Sequence, residues 1–159
     1  MAVEFKKETV QEFEEIASRY PVRRAALLPA LWLAQREFGW ISPEVMEAVA
    51  SLVGCSPVQV LEVAQFYSMY HKQKPGKHHL QVCQTVVCLM NGSEKILRML
   101  EEKLGLKPGE ATPDGQFSLQ TVECLASCHT GPCMRVNDIY HEHMTVEKTE
   151  QLLEELKKK

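Results

Sequence analysis

Val82-Cys83-Gln84-Thr85-Val86-Val87-Cys88 and Glu123-Cys124-Leu125-Ala126-Ser127-Cys128 hold four of the chain's six cysteines, as a C-x4-C and a C-x3-C with residues 89–123 between them. Each pair is tied to a stretch that reads as a β-strand, His79 to Cys83 for the first and Phe117 to Cys124 for the second. Parallel or neighbouring strands end on the same edge of a sheet, so two strand-exit loops bring four sulfurs to one surface.

Four thiolates around two irons are what a [2Fe-2S] cluster requires, and intervals of three and four residues let each loop fold back over an inorganic core. The candidate ligands, of cofactor and metal alike, are therefore Cys83, Cys88, Cys124 and Cys128. A zinc ion also accepts four thiolates, but structural zinc sites usually draw on C-x2-C knuckles, an interval neither pair has. A redox disulfide and unrelated buried cysteines stay open as well, the former weakened by the absence of a thioredoxin-type C-x-x-C. Cys133 follows Pro132 five positions after Cys128 and is expected to pack beside the site without ligating. Cys55, between Gly54 and Ser56, reads as a small apolar residue. His129 could ligate iron, but four thiolates suffice without it. His71, His78, His79, His141 and His143 form no helical metal pair with carboxylates and default to structural or surface roles. Gly131-Pro132 is a candidate cis bond that aims the second cysteine loop, weighed equally against an ordinary trans turn.

Outward from the cysteines, Ser93 to Leu104 reads as a helix with Ile96, Leu97, Leu100 and Leu104 on one face and Gly105 as its stop. Met134 to Val136 and Ile139 to His143 are short strands around Asn137-Asp138. Thr145 caps a last helix that turns Val146, Thr149, Leu152, Leu153 and Leu156 inward. The order strand, helix, strand, strand, strand, helix is an α+β arrangement. Before it, from Lys7 to about Tyr70, apolar residues recur at helical spacing, first at Val10, Phe13, Ala17 and Tyr20, later at Val45, Met46, Val49, Leu52 and Val53. Ser42-Pro43 and Ser56-Pro57 each set a capping residue before a proline at the first helical position, and Gln59 completes a capping box. Pro29, inside the apolar run Leu27 to Phe38, makes that helix start late or bend. The Pro- and Lys-rich segment His71 to His78 is a linker, giving a helical bundle over residues 1–74 and a second domain over 75–159.

The whole chain has 159 residues, 45% hydrophobic and 25% charged, and a formal charge of −3. With Lys and Arg spread among Asp and Glu, nucleic acid is excluded as an expected partner. The basic ending Lys157 to Lys159 suits the negative end of a helix dipole. Neither an apolar leader core over Met1 to Thr9 nor a run long enough to span a bilayer is present, so direct membrane insertion is not expected and the chain reads as cytoplasmic. Clustered cysteines in a reducing compartment favour metal or redox chemistry over a disulfide framework.

Beyond the cysteines, ordered segments recur. Arg23-Arg24-Ala25-Ala26-Leu27-Leu28-Pro29, Glu37-Phe38-Gly39-Trp40-Ile41, Val63-Ala64-Gln65-Phe66-Tyr67-Ser68 and Lys107-Pro108-Gly109-Glu110 through Thr112-Pro113-Asp114-Gly115 stand with the two cysteine motifs. Over nearly its whole length the chain resembles the E subunits of bacterial NADH:quinone oxidoreductase, respiratory complex I. That resemblance implies a helical N-terminal domain followed by a thioredoxin-like [2Fe-2S] ferredoxin domain, with Cys83, Cys88, Cys124 and Cys128 holding the cluster. It implies a partner F subunit that binds NADH, FMN and a [4Fe-4S] cluster, a larger respiratory complex around both, and a position peripheral to the inner membrane through that complex. The family's cluster accepts an electron from reduced flavin. Cys133 departs from the resemblance, since relatives usually carry an apolar residue there.

No Ser/His/Asp arrangement, dinucleotide fingerprint or phosphate loop accompanies these motifs, so the chain reads as a non-catalytic subunit of an oxidoreductase, with hydride chemistry left to the partner. An equivalent subunit of an NAD-linked formate dehydrogenase or an electron-bifurcating hydrogenase is the nearest alternative. A free ferredoxin is the other, against which stands a helical half with no obvious role unless it docks.

Overall fold

A computed structural model of the chain describes residues 3–158. Met1, Ala2 and Lys159, the ends of the leader and basic-tail readings, lie outside the described residues. The chain divides into two compact units between Lys74 and Pro75.

The first unit is helical, with α1 (Lys7–Ala17), a 3-10 turn (Arg23–Ala26), α2 (Leu27–Phe38), α3 (Pro43–Val53) and α4 (Pro57–Phe66). Ser42 Oγ accepts from the Val45 amide at 3.2 Å, and Ser56 with Gln59 forms the full capping box, so both prolines stand where no intrahelical amide is needed. Pro29 is the third residue of α2, so the helix begins before the proline and carries it in its first turn, where the amides lack intrahelical partners. The apolar stripe expected to reach Tyr20 stops sooner. The amides of Arg19 and Tyr20 donate to the carbonyls of Ile16 and Ala17, tightening the chain out of the helix after Ala17 and leaving Tyr20 40% exposed. Thr9, rather than Val10, is buried with Phe13 and Ala17.

Phe13, Leu31, Ile41, Val49, Val53, Val60 and Tyr70 fill the core of this unit. Tyr70 Oη donates to the Leu28 carbonyl at 2.9 Å, satisfying the one polar atom that its burial would strand. Burial, reinforced by Tyr67, pushes the Tyr70 phenol up to about 12. The Gln35 amide holds the end of the unit by donating to the Met69 carbonyl and accepting from the His71 amide. Cys55 is half-buried against this core, and burial raises its thiol pKa, in keeping with the apolar role expected of it.

The second unit is α+β, as expected. Its elements are β1 (His78–Cys83), α5 (Val86–Met90), α6 (Ser93–Leu104), β2 (Phe117–Val122), β3 (Met134–Val136), β4 (Ile139–His141) and α7 (Val146–Lys157). The sheet order is β2-β1-β3-β4, with β1 parallel to β2 and antiparallel to β3. Strand β1 is therefore central, and all six of its residues are buried. Leu80 and Val82 meet Leu119, Met134 and Val136 in a core closed by Ile96 and Leu100 of α6 and Leu153 and Leu156 of α7. Two polar side chains of β1 find partners on neighbouring strands. His79 Nδ1 lies 2.7 Å from Ser118 Oγ, its Nε2 lies 3.1 Å from Gln120 Oε1, and Arg135 Nε donates to Gln81 Oε1 at 2.7 Å.

Three sequence expectations change here. Strand β2 ends at Val122, two residues short of Cys124, and β4 ends at His141 rather than His143, which has a φ of 48° and cannot continue a strand. Helix α5 was not expected at all. It is a little over one turn long, too short for any apolar period to register. Among the described residues no single helix is long and apolar enough to cross a membrane.

Candidate metal centre

Because β1 and β2 run parallel, their last residues, Cys83 and Val122, are register partners and leave the sheet at one edge. Strand β3 runs the other way, so its beginning lies at that same edge. Extending the Val82–Met134 pairing by one step sets Cys133 opposite Cys83, and the Cys83 amide donates to the Cys133 carbonyl at 3.4 Å. Directly opposed residues of an antiparallel pair project to one face, so the register by itself brings these two side chains together.

The loop after β1 turns into α5 and returns Cys88 to the same place. The sulfurs of Cys83, Cys88 and Cys133 all lie within 4.8 Å of one another and all three residues are buried. Cys88 Sγ stands 3.8 Å from Cys133 Sγ, and Leu125 packs against the group. Gly131 also lies close, where an added Cβ would sit 3.5 Å from Cys88 Sγ. The Gly131–Pro132 bond is cis.

Cys124 and Cys128 occupy the exposed loop after β2 and stand outside this buried triad. The two are neighbours, and Cys128 is close enough to Cys83 to feel its charge. Ala126, between them, has a φ of 57°, which reverses the loop, and its amide donates to Cys124 Sγ at 3.3 Å. The far end of the loop is a 3-10 turn, Cys128–Thr130, on which His129 is exposed. Glu142 fastens that turn, accepting hydrogen bonds from Ser127 Oγ and, at 2.7 Å, from Thr130 Oγ1. These two hydroxyls, Ser127 first, hold the Glu142 carboxyl below its ordinary pKa.

The environment of the sulfurs is graded. Burial opposes ionisation of Cys83, but the Thr85 hydroxyl at 3.2 Å and the amides of Thr85 and Leu125 outweigh it and hold its pKa below the thiol norm. Burial pushes Cys88 up, against an opposing pull from the Cys133 amide. Cys128 is raised by desolvation and then by the charges of Cys124 and Cys83. Cys133 goes furthest, pushed up to about 12 by burial and by its two sulfur neighbours. Amides directed at sulfur are the donors that stabilise thiolates at an iron-sulfur centre and tune its potential.

A family model described as thioredoxin-like [2Fe-2S] ferredoxin matches residues 13–157. The chain belongs to that family.

Among relatives of this thioredoxin-like [2Fe-2S] ferredoxin, the E 2 subunit of the NADH-quinone oxidoreductase of Rhizobium meliloti is 46% identical over 144 residues, covering 91% of this chain and 86% of the relative. NADH-quinone oxidoreductase subunit 2 of Thermus thermophilus is 51% identical over 147 residues, covering 90% and 81%. A solved NAD+-reducing [NiFe]-hydrogenase superposes on 80% of this chain and 22% of its own with a TM-score of 0.72 at 15% identity, a likeness of fold alone.

The cofactor of this ferredoxin is a [2Fe-2S] cluster, and the site has the chemistry for it. Soft sulfur donors gather at one sheet edge, and amides of Leu125, Ala126 and Cys133 point at them. Sequence reasoning singled out all five cysteines of the region but not Thr85 or Glu142. Thr85 was within reach, two residues from Cys83. Glu142 was not, because nothing local joins it to Ser127 fifteen residues earlier.

Proposed function

We propose that this chain is the electron-transfer subunit of an NADH:quinone oxidoreductase, holding its [2Fe-2S] cluster on Cys83, Cys88, Cys124 and Cys128 and receiving an electron from FMN on a partner flavoprotein, the F subunit. The observation that carries the reading is the buried group of Cys83, Cys88 and Cys133 at one sheet edge, in a chain 46% and 51% identical to two such subunits over about nine-tenths of its length.

A bound [2Fe-2S] cluster supplies a one-electron acceptor, which a hydride donor can use only through a carrier able to release electrons singly. The chain's own residues do the rest. Cys83 and Cys88 anchor the buried side, and Cys124 and Cys128 complete the set from a loop turned by Ala126 and latched by Glu142. The surroundings of Cys88 support a docked partner. On α5, Val86, Leu89 and Met90 are 67%, 43% and 83% exposed, an apolar apron immediately around one ligand position. Against a flavoprotein this apron excludes water from the path between the two redox groups. Attachment to the membrane follows through the larger complex, on its cytoplasmic side. The chain has no active site of its own in this reading and acts as a non-catalytic subunit.

Purification from the native host tests the proposal. Expected are two irons and two sulfides per chain, an EPR signal on reduction, a co-purifying flavoprotein with membrane proton-pumping subunits, and no NADH oxidation by the isolated chain. A single zinc ion per chain, or NADH turnover by the chain alone, overturns it. A hydrogenase or formate dehydrogenase catalytic subunit in place of the pumping subunits overturns the assignment to NADH:quinone oxidoreductase.

A further inference from the structure

Cys133 is 2% exposed, and nothing in the four-ligand assignment uses it. A two-iron core takes four thiolates, so with Cys83, Cys88, Cys124 and Cys128 engaged, Cys133 is a fifth sulfur, buried against Cys83 and Cys88. Each of its polar groups faces that site. Its carbonyl accepts from the Cys83 amide, its own amide is directed at Cys88, and its Sγ lies 3.8 Å from Cys88 Sγ, within hydrogen-bonding range for two sulfurs. In the free thiols either sulfur can donate. Once Cys88 binds iron it has no proton, and the bond then has one possible direction.

We infer that Cys133 is a positioning residue for the electron transfer, its thiol donating to the Cys88 thiolate and raising the cluster's reduction potential. Reduction adds a negative charge to the cluster and its ligands. A donor aimed at a ligand sulfur favours the reduced state, more strongly in a buried pocket than in water because little solvent screens it. The pocket is closed around the pair by Leu125 and by Gly131, whose backbone passes beside Cys88 Sγ. An apolar residue at position 133 would fill the space and leave Cys88 with the backbone amide as its donor from this residue. The inference rests on the ligand assignment proposed above, because it needs Cys88 to be a thiolate.

The experiment is an EPR-monitored redox titration of the cluster-loaded full chain, comparing wild type with Cys133→Val and Cys133→Ser, with iron and sulfide content measured on each. Cys133→Val keeps the site apolar and removes the donor, and Cys133→Ser restores a donor. The expected result is full cluster content in both. For Cys133→Val the ratio of reduced to oxidised cluster at fixed ambient potential falls roughly tenfold, a downward shift of about 59 mV for a one-electron couple. Cys133→Ser recovers part of that shift. In the wild type, the infrared S–H stretch that disappears in Cys133→Val moves when the cluster is reduced. Equal shifts in the two variants, or no shift in Cys133→Val at full cluster content, overturn the donor role. Loss of the cluster from Cys133→Val but not from Cys133→Ala, a smaller apolar residue, marks a packing role and also overturns it. Loss from both makes Cys133 a ligand and overturns it too. Cys88→Ala reports on the underlying reading separately, since a cluster retained in that variant removes Cys88 from the ligand set whatever the potentials show.

Discussion

Thr130 Oγ1 donates to Glu142 Oε1 at 2.7 Å, tying the end of the Cys124–Cys128 loop to the residue that follows β4. Ser127 Oγ donates to the same carboxylate oxygen, and the His143 amide donates to the Thr130 carbonyl at 2.7 Å, so the loop is held from one short stretch of chain. The latch has a defined pH dependence. The Glu142 carboxyl is held below its ordinary value of 4.5, so its contribution is complete above that value and is lost as pH falls through the lowered one. Glu142→Ala is expected to release the cluster to a chelator several-fold faster than wild type near neutral pH. In the cluster-free chain, the difference in unfolding midpoint between the two proteins should shrink as pH drops below 4.5. A difference that grows on acidification would contradict the latch.

Ala126 holds a φ of 57°, a conformation that costs a residue with a Cβ about 1–2 kcal/mol and costs glycine almost nothing. Ala126→Gly removes that strain at the expense of a more flexible unfolded chain, for a net gain of about 0.5–1 kcal/mol. Chemical unfolding of the full chain measures it. Ala126→Val, with its branched Cβ, is expected to shift stability the other way and to weaken the amide donated to Cys124.

Gly76 admits no side chain. A Cβ at this position would lie 2.4 Å from the Phe117 carbonyl carbon and 2.7 Å from the Ser118 nitrogen, both backbone atoms of β2 that no rotamer change can move. Its amide also donates to Ser118 Oγ at 2.9 Å, the hydroxyl that His79 Nδ1 approaches. Gly76→Ala is expected to cost about 2–3 kcal/mol by forcing β2 away. Hydrogen exchange should show the loss in β1 and β2 before it reaches α1 to α4, and uniform loss across both units would argue for a different cause.

Met90, the most exposed residue of the α5 apron, points to the proposed flavoprotein contact. Met90→Glu places a charge on an exposed apolar surface, where losing a hot-spot contact costs about 2 kcal/mol or more. Binding to the partner, followed by titration calorimetry or co-elution, is expected to weaken about tenfold or more with cluster content and EPR signal unchanged. Unaltered binding would remove α5 from the interface.

Local chemistry was legible in the letters wherever both partners of an interaction lie within a few residues. Ser42, Ser56 with Gln59, and Thr145 cap the helices assigned to them, and Ser93–Leu104 and Met134–Val136 begin and end where their patterns say. The same holds for the family, which is written in segments spread along the whole chain. What the sequence could not determine depends on pairings between distant residues. The approach of Cys133 to Cys83 follows from a β1–β3 register spanning some fifty positions, and the Glu142 latch follows from where β4 happens to end. Hydrogen-bond geometry and sheet register act across space, so only the folded chain sets which sulfurs share a pocket and which carboxylate guards it.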